Sequence, residues 1–367
     1  MKLIHLSSTH KRFDSRIFHK ICVSASNAGH QVTLIVADGK GCETSNNVRI
    51  IDVGHSPNRL TRLLINPIKI LLKTISYRNC IFHLHDPELL FISLFLRRKK
   101  TRVIYDMHEN LHIQILSKEW IIGSYLLKKL IANFSILYQK FFIKKIDYLI
   151  VAQPVMKIFY SNMNKNIVDI NNFAKPLEYI KNQKFINKKF NLVYAGGLSE
   201  DKGLINMINL IKYLPESYKL HIAGPIDYSQ KELIEKLNHK KIIFYGLLSN
   251  KELNLLYQNC SIGLIMFNNV GQYSMSYSIK LFEYIQFGMT VIMPNFGDWV
   301  DFNKQYKVGI NIDPKNTKEC AKKIINLEEN LLEDFFYSNK LLQNNKFNWE
   351  KEYIKLEKRY KSINKSI

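Results

Sequence analysis

A chain in which short apolar runs and amphipathic stretches keep alternating has few folds open to it, and this one alternates almost from end to end. Lys2–Leu6 reads as a strand and Ser7–Phe13 as a polar loop. Asp14–Ala28 reads as a helix with Ile17, Phe18, Ile21, Cys22 and Ala25 on one side, closed by Gly29, and Gln31–Val36 is the next strand. Strand, helix and strand in that order predict a parallel pair joined by a right-handed crossover. The unit recurs as a strand at Arg49–Val53, a helix at Leu60–Ser76 and a strand at Ile81–His85. It continues through a helix at Pro87–Leu96 and strands at Arg102–Asp106 and Tyr148–Val151, the last after a long helical stretch. The expected class is α/β, a doubly wound parallel sheet with its ligand crevice at the carboxyl ends of the strands.

Residues 174–189 are polar and rich in Lys and Asn, a composition suited to a hinge. A second series follows, with strands expected at Phe190–Tyr194, Lys219–Ala223, Ile242–Tyr245 and Ile262–Met266. Helices are expected between them at Gly203–Leu214, Gln230–Leu237 and Asn250–Asn259. Gly309–Ile312, a helix from Thr317 and a charged amphipathic helix over Asn348–Ser366 complete it. The division predicted is therefore 1–172, a linker 173–189, a second domain 190–345, and a terminal helix 346–367 with the option of crossing back to the first domain.

Within the second series, Ser276 to Gly297 reads SYSIKLFEYIQFGMTVIMPNFG, a helix, a tight turn at Gly288 and a buried strand. Lys280 and Glu283 stand three apart, so a helix puts them on one face beside the free N–H groups of its first turn. Ammonium, carboxylate and helix N-terminus together suit a phosphorylated, hydroxyl-bearing ligand such as a nucleotide sugar. An ordinary amphipathic helix with an exposed ion pair carries the same pattern. Gly196-Gly197-Leu198-Ser199-Glu200-Asp201-Lys202-Gly203 also joins a strand to a helix. Its glycines let backbone approach a phosphate and Lys202 adds charge, although the spacing is neither a Walker A loop nor GxGxxG. His108 and His85 each stand just past a strand end, where a histidine serves equally as a structural hydrogen-bonder.

Composition excludes several classes. Hydrophobic residues make up 46% of 367, enough for packed cores, and Cys22, Cys42, Cys80, Cys260 and Cys320 are scattered singly, against a disulfide framework or a structural zinc site. The opening MKLIHLSSTHKRFD loses its apolar character too soon for a signal peptide, and no stretch is long and apolar enough to span a membrane. The formal charge of +22 suits nucleic acid, an anionic membrane or a polyanionic substrate, and AT-rich coding also inflates Lys. Aromatic residues fall in strands and apolar helix faces rather than among the lysines of one surface, which speaks against nucleic acid.

The ordered series HLHDPELL, VIYDMHEN, LVYAGGLSEDKGL, LHIAGP, IIFYGLLSNKEL and SIKLFEYIQFGMTVIMPNFGDW resembles the bacterial glycosyltransferases of family four, over nearly the whole chain. That resemblance implies the GT-B fold, two Rossmann-like doubly wound domains facing a central cleft, with an acceptor-side first domain and a donor-binding second. It implies transfer from a UDP- or GDP-sugar with retention of configuration, no metal and no further cofactor. Similar members build capsule, O-antigen or exopolysaccharide repeats on a lipid carrier at the cytoplasmic face of the membrane. By position, Glu283 matches the carboxylate that binds the nucleotide ribose, and Lys280 and Lys202 the cations on the diphosphate. Gly196 and Gly197 mark close backbone approach, Leu281 belongs to the same KLFEY segment, and Tyr245 and Gly246 lie where the base is received. His108 matches a histidine contacting the transferred sugar. Two positions depart: Met275 replaces a second Glu, and Gly197 stands where many members have Arg.

A sugar-nucleotide epimerase of the same architecture is the competing enzyme, and a non-catalytic basic binding protein the competitor from another class. A lipid-linked acceptor also suggests docking on an anionic membrane. Arg59–Lys73 and Trp120–Lys145 mix apolar and aromatic residues with cations as an interfacial helix does, yet Leu126, Leu127, Leu130 and Ile131 suit packing on a sheet equally.

Overall fold

The apolar run Lys2–Leu6 becomes β1, the strand from which the first sheet winds in both directions. In a computed structural model of the chain, residues 1–117, 125–226, 235, 237–275 and 277–365 are described. Trp120, Ser276 and residues 230–234 and 236 of the expected helix Gln230–Leu237 lie outside these residues, and the side chain of Tyr125 is not described. The chain divides into two compact units, Met1–Asn172 with Trp349–Ile367, and Phe173–Asn348.

The first unit holds β2 (Gln31–Val36), β3 (Glu43–Ser45), β4 (Val48–Asp52), β5 (Cys80–Leu84), β6 (Thr101–Met107), β7 (Tyr148–Val151) and β8 (Ile167–Asp169) beside β1. Their order in the sheet is β3-β4-β2-β1-β5-β6-β7-β8. All neighbours are parallel except β3, an antiparallel edge absent from the sequence reading because Glu43–Ser45 is polar and short. The chain leaves β1 toward β2 on one side and resumes at β5 on the other, so the order reverses between β1 and β5. Alternation along β1 sends Leu3 to one core and Ile4 and Leu6 to the other.

Two expected helices differ in detail. The segment after Asp14 is wound as a π-helix over Ser15–Cys22 before an α-helical Val23–Asn27, with the Asp14 carboxylate accepting from the Arg16 and Ile17 N–H groups. Pro87–Leu96 is broken into a 3₁₀ turn, Pro87–Leu89, and a short helix, Ser93–Leu96. The helix Trp349–Asn364 belongs to the first unit, where Trp349, Leu356, Tyr360 and Ile363 are buried on the same side of the sheet as Leu3. Trp349 Nε1 donates to Ser24 Oγ at 2.9 Å, and Glu352 accepts the Asn171 N–H at 2.7 Å. By contrast the helix Tyr125–Ile143 turns Leu126, Leu130, Phe134, Leu137 and Phe141 outward, and Leu127 and Ile131 are exposed too. Leu64, Ile68 and Leu72 of Arg59–Thr74 are also exposed. Packing against the sheet therefore falls to Ala132, Ile143 and partly buried Tyr138 and Phe142, not to the leucines.

The second unit has one six-stranded parallel sheet. Its strands are β9 (Asn191–Ala195), β10 (Lys219–Ala223), β11 (Ile242–Phe244), β12 (Ile262–Leu264), β13 (Thr290–Pro294) and β14 (Gly309–Ile312), in the order β11-β10-β9-β12-β13-β14. Here the reversal falls between β9 and β12. Each unit is thus the expected doubly wound sheet, and each has a switch point where two loops diverge and leave a crevice.

Candidate active site

In the second unit the loop Gly196–Gly203 leaves β9 at the switch point and opens the helix Leu204–Tyr213. Gly196 adopts φ 145°, and a Cβ placed on it would collide with Lys280 Nζ. A Cβ on Gly197 would lie 2.8 Å from Lys202 Nζ. The two glycines are therefore the floor on which two lysine ends rest, and a larger residue at either would displace an ammonium. Lys280 reaches this place from the first turn of the helix Ile279–Gln286, its ammonium 5.0 Å from the Tyr194 ring centroid and 5.6 Å from that of Phe267. Burial, then the nearby Lys202, pull Lys280 down to about 8, partly opposed by Glu283. Among the described residues neither lysine forms an ion pair. Two ammonium groups over glycine backbone, neither in an ion pair, are an arrangement whose chemistry suits a polyanion.

The exposed Lys–Glu pair that the spacing also allowed does not form. Glu283 instead accepts a hydrogen bond of 2.9 Å from the hydroxyl of buried Tyr257, on the helix Asn250–Gln258. Gly196 N donates to Ala223 O at 2.8 Å and Gly224 N to Gly246 O at 2.7 Å, so the loops after β9, β10 and β11 are tied edge to edge. Tyr245 is half-exposed, with its hydroxyl 2.8 Å from His221 Nδ1. Leu281 is different: its side chain is wholly buried in the second core and its N–H donates to Ser278 O at 3.0 Å, so it positions the helix by packing. Lys202, Lys280, Glu283 and the glycines share one unit, and His108 belongs to the other.

At the carboxyl edge of the first sheet, β5 runs into His85-Asp86-Pro87-Glu88 and β6 into His108. His108 Nε2 lies 3.1 Å from Asp106 Oδ2, and Arg16 grips the same carboxylate with Nε at 3.0 Å and Nη2 at 2.7 Å. Burial alone would raise Asp106, but Arg16 and His108 hold it well below the usual carboxylate range. His85, His5 and His83 form a buried pile behind this group, and Tyr360 OH lies 2.7 Å from His83 Nδ1. Burial keeps all three neutral, with His85 pushed down to about 3. The rings stack at 15° and 22°, a poor frame for one shared metal ion because coordinating lone pairs lie in the ring planes.

Arg16, Asp86, Asp106 and Tyr257 escaped the sequence reading. The run HDPE past a strand end was a signal for Asp86, since carboxylates at such ends face the crevice. Nothing local marks Tyr257.

Residues 177–342, the part of the chain holding Lys202 and Lys280, match the family Glycosyl transferases group 1. An uncharacterized 41.2 kDa protein in the cps region of Klebsiella pneumoniae is 24% identical over 278 residues, 69% of this chain and 71% of that one. The sucrose-phosphate synthase of Thermosynechococcus elongatus superposes with a TM-score of 0.75 at 13% identity, covering 99% of this chain and 98% of the synthase. Anabaena HepE, solved with UDP and glucose, superposes with a TM-score of 0.69 at 14% identity over 99% and 100% of the two chains. The chain therefore has the GT-B fold of these glycosyltransferases, with a Glycosyl transferases group 1 segment at residues 177–342.

Proposed function

We propose that this protein is a retaining, metal-independent glycosyltransferase that moves a sugar from UDP- or GDP-sugar to a lipid-linked saccharide in surface polysaccharide synthesis. The observation that carries the reading is the pair Lys202 and Lys280, resting on Gly197 and Gly196 without a carboxylate partner among the described residues. When the bond from the anomeric carbon to the diphosphate breaks, its electron pair goes to the phosphate, and two fixed ammonium groups stabilise that charge where a divalent ion otherwise would. On this reading Glu283, which accepts from the Tyr257 hydroxyl, also accepts hydrogen bonds from the ribose hydroxyls. Tyr245 and Gly246 line the base end, and His108 serves the transferred sugar. HepE's complex with UDP and glucose and the cps-region relative support the donor class and the polysaccharide setting.

The test is incubation of the purified chain with a panel of nucleotide sugars, following nucleotide release and protection against melting. Release or protection by one base family is expected, and a panel with neither overturns the reading. One observation favours the epimerase alternative: His10 and Glu88 supply an imidazole and a carboxyl at the first sheet's crevice. An epimerase would convert the sugar nucleotide without an acceptor, which chromatography of the same incubations detects.

The chain works, on this reading, as a peripheral protein on the inner face of the cytoplasmic membrane. The outward stripe Leu126, Leu130, Phe134, Leu137 and Phe141 supports docking, with Lys145 stacked 3.7 Å over the Phe141 ring and Lys140 and Lys144 nearby in sequence. No helix among the described residues is long and apolar enough to cross a membrane.

A further inference from the structure

Strand pairing in the first sheet brings two imidazoles to one carboxylate oxygen. Leu84 of β5 stands opposite Tyr105 of β6, so the next residues along, His85 and Asp106, are neighbours across the ladder. His108 follows Asp106 by two positions of extended chain and leaves on the same face. His108 Nε2 is 3.1 Å and His85 Nδ1 3.4 Å from Asp106 Oδ2, and the two nitrogens are 3.3 Å apart. Arg16 Nε approaches the same oxygen at 3.0 Å. Three nitrogens thus crowd an oxygen with two lone pairs, one more than hydrogen bonding can serve.

A divalent ion removes that excess. One lone pair of Oδ2 stays with Arg16, the other binds the ion, and each imidazole gives the ion a lone pair. Zinc bonds of about 2.0–2.1 Å in tetrahedral geometry set ligand atoms roughly 3.3 Å apart, the size of this triangle. The rings of His85 and His108 are inclined at 60°, unlike the stacked His83 and His85, so their in-plane lone pairs can meet. Outer partners are in place as well: His85 Nε2 lies 3.0 Å from His5 Nδ1, and Asp106 Oδ1 accepts from Arg16 Nη2 at 2.7 Å. Asp86, Glu88, Asp14 and Asp106 outnumber Arg16 and His10, so a dication meets net attraction. Access is one-sided. His85 and Asp106 are wholly buried, whereas His108 is 16% exposed and faces the His10 ring at 5.0 Å. Asp86 fixes that ring through His10 Nδ1 at 2.7 Å, while accepting from Ser7 Oγ and the Ser8 N–H.

We propose that His85 Nδ1, Asp106 Oδ2 and His108 Nε2 form a zinc-class metal site with its fourth position open on the His108 side. Two imidazoles and one carboxylate favour zinc over magnesium or calcium, which take oxygen ligands. An ion there occupies His108, so zinc should inhibit sugar transfer instead of assisting it. That consequence alone rests on the glycosyltransferase reading.

Calorimetry of the full, untagged, chelator-treated chain with zinc chloride tests the site without any nucleotide. One equivalent of zinc should bind with an affinity on the order of micromolar or tighter, and magnesium should not compete. Cobalt(II) in its place should give the strong visible absorption of a four-coordinate ion. His108→Ala should weaken zinc binding about hundredfold and abolish that absorption, with the melting curve showing that the variant folds. His239→Ala, in the other unit, should change neither. Should His108→Ala not fold, long-range proton–nitrogen spectra of the wild type decide, since this site metallates His85 through Nδ1 and His108 through Nε2. Absence of stoichiometric binding, equal binding by folded His108→Ala, or shifts confined to other histidines overturns the site. One equivalent of zinc should also slow nucleotide release, and a chelator should restore it. Binding without slowing strikes the inhibition, and a chain that releases no nucleotide from any donor strikes the transferase reading; neither touches the metal site.

Discussion

Lys280 joins most of the second unit's chemistry in one side chain: it touches the glycine loop, stands near Lys202 and shares a helix with Glu283. Lys280→Ala and Glu283→Gln should each cost about 1.5–3 kcal/mol of donor affinity, one charge-assisted hydrogen bond, and abolish transfer with the fold intact. Calorimetry with UDP and GDP checks this, and unchanged affinity in both variants refutes the assignment. Tyr257→Phe should cost less, about 1 kcal/mol, because the carboxylate stays but loses one donor. The depressed Lys280 adds a pH signature. A bound diphosphate favours the ammonium, so donor affinity should be full below about 8 and fall as pH rises through that value. Lys280→Arg, charged throughout, should flatten the curve. His108→Ala should lower turnover far more than nucleotide affinity, since Lys202 and Lys280 belong to the other unit. The pKa of His10 is shifted the other way: burial opposes its charge, but the hydrogen bond and charge of Asp86 win and lift it from 6.5 to about 9. Its contribution to stability is full below 6.5 and lost as pH rises through about 9. Urea midpoints of wild type and His10→Gln across that window should converge at the alkaline end.

Among the elements, two helices show opposite uses of apolar residues. Trp349–Asn364 buries Trp349, Leu356, Tyr360 and Ile363 in the first unit's core. Trp349→Ala should destabilise that unit by about 3–5 kcal/mol through cavity formation, read as a drop in thermal midpoint. Tyr125–Ile143 presents its stripe to solvent. Leu130→Glu with Phe134→Glu should leave the melting temperature nearly unchanged, since both residues are exposed, while reducing flotation with anionic liposomes. A large fall in stability would show that the stripe has a packing partner instead.

For the whole molecule, the charge of +22 becomes meaningful only with the position of that stripe. Each lysine near an acidic surface adds about 1 kcal/mol, so four or five suffice for reversible attachment. Flotation should require anionic lipid, weaken with salt and fall when Lys128, Lys129, Lys144 and Lys145 become Glu. A chain that stays unbound at low salt with such liposomes refutes the docking. The sequence by itself determined the class of fold, because strand and helix periodicities are local and their alternation admits little except a doubly wound sheet. It also marked the strand-end loops, where glycine and lysine after a strand suit a phosphate as well as a turn, and in the structure Gly196, Gly197, Lys202 and Lys280 come together. Periodicity could not say which side of Tyr125–Ile143 is covered, because an apolar stripe looks the same facing a sheet or facing water. Nor could it show that Glu283 bonds to Tyr257 rather than Lys280, or that Asp86 gathers Ser7, Ser8 and His10. Those pairings join residues far apart in the chain, so only the order of the strands decides them.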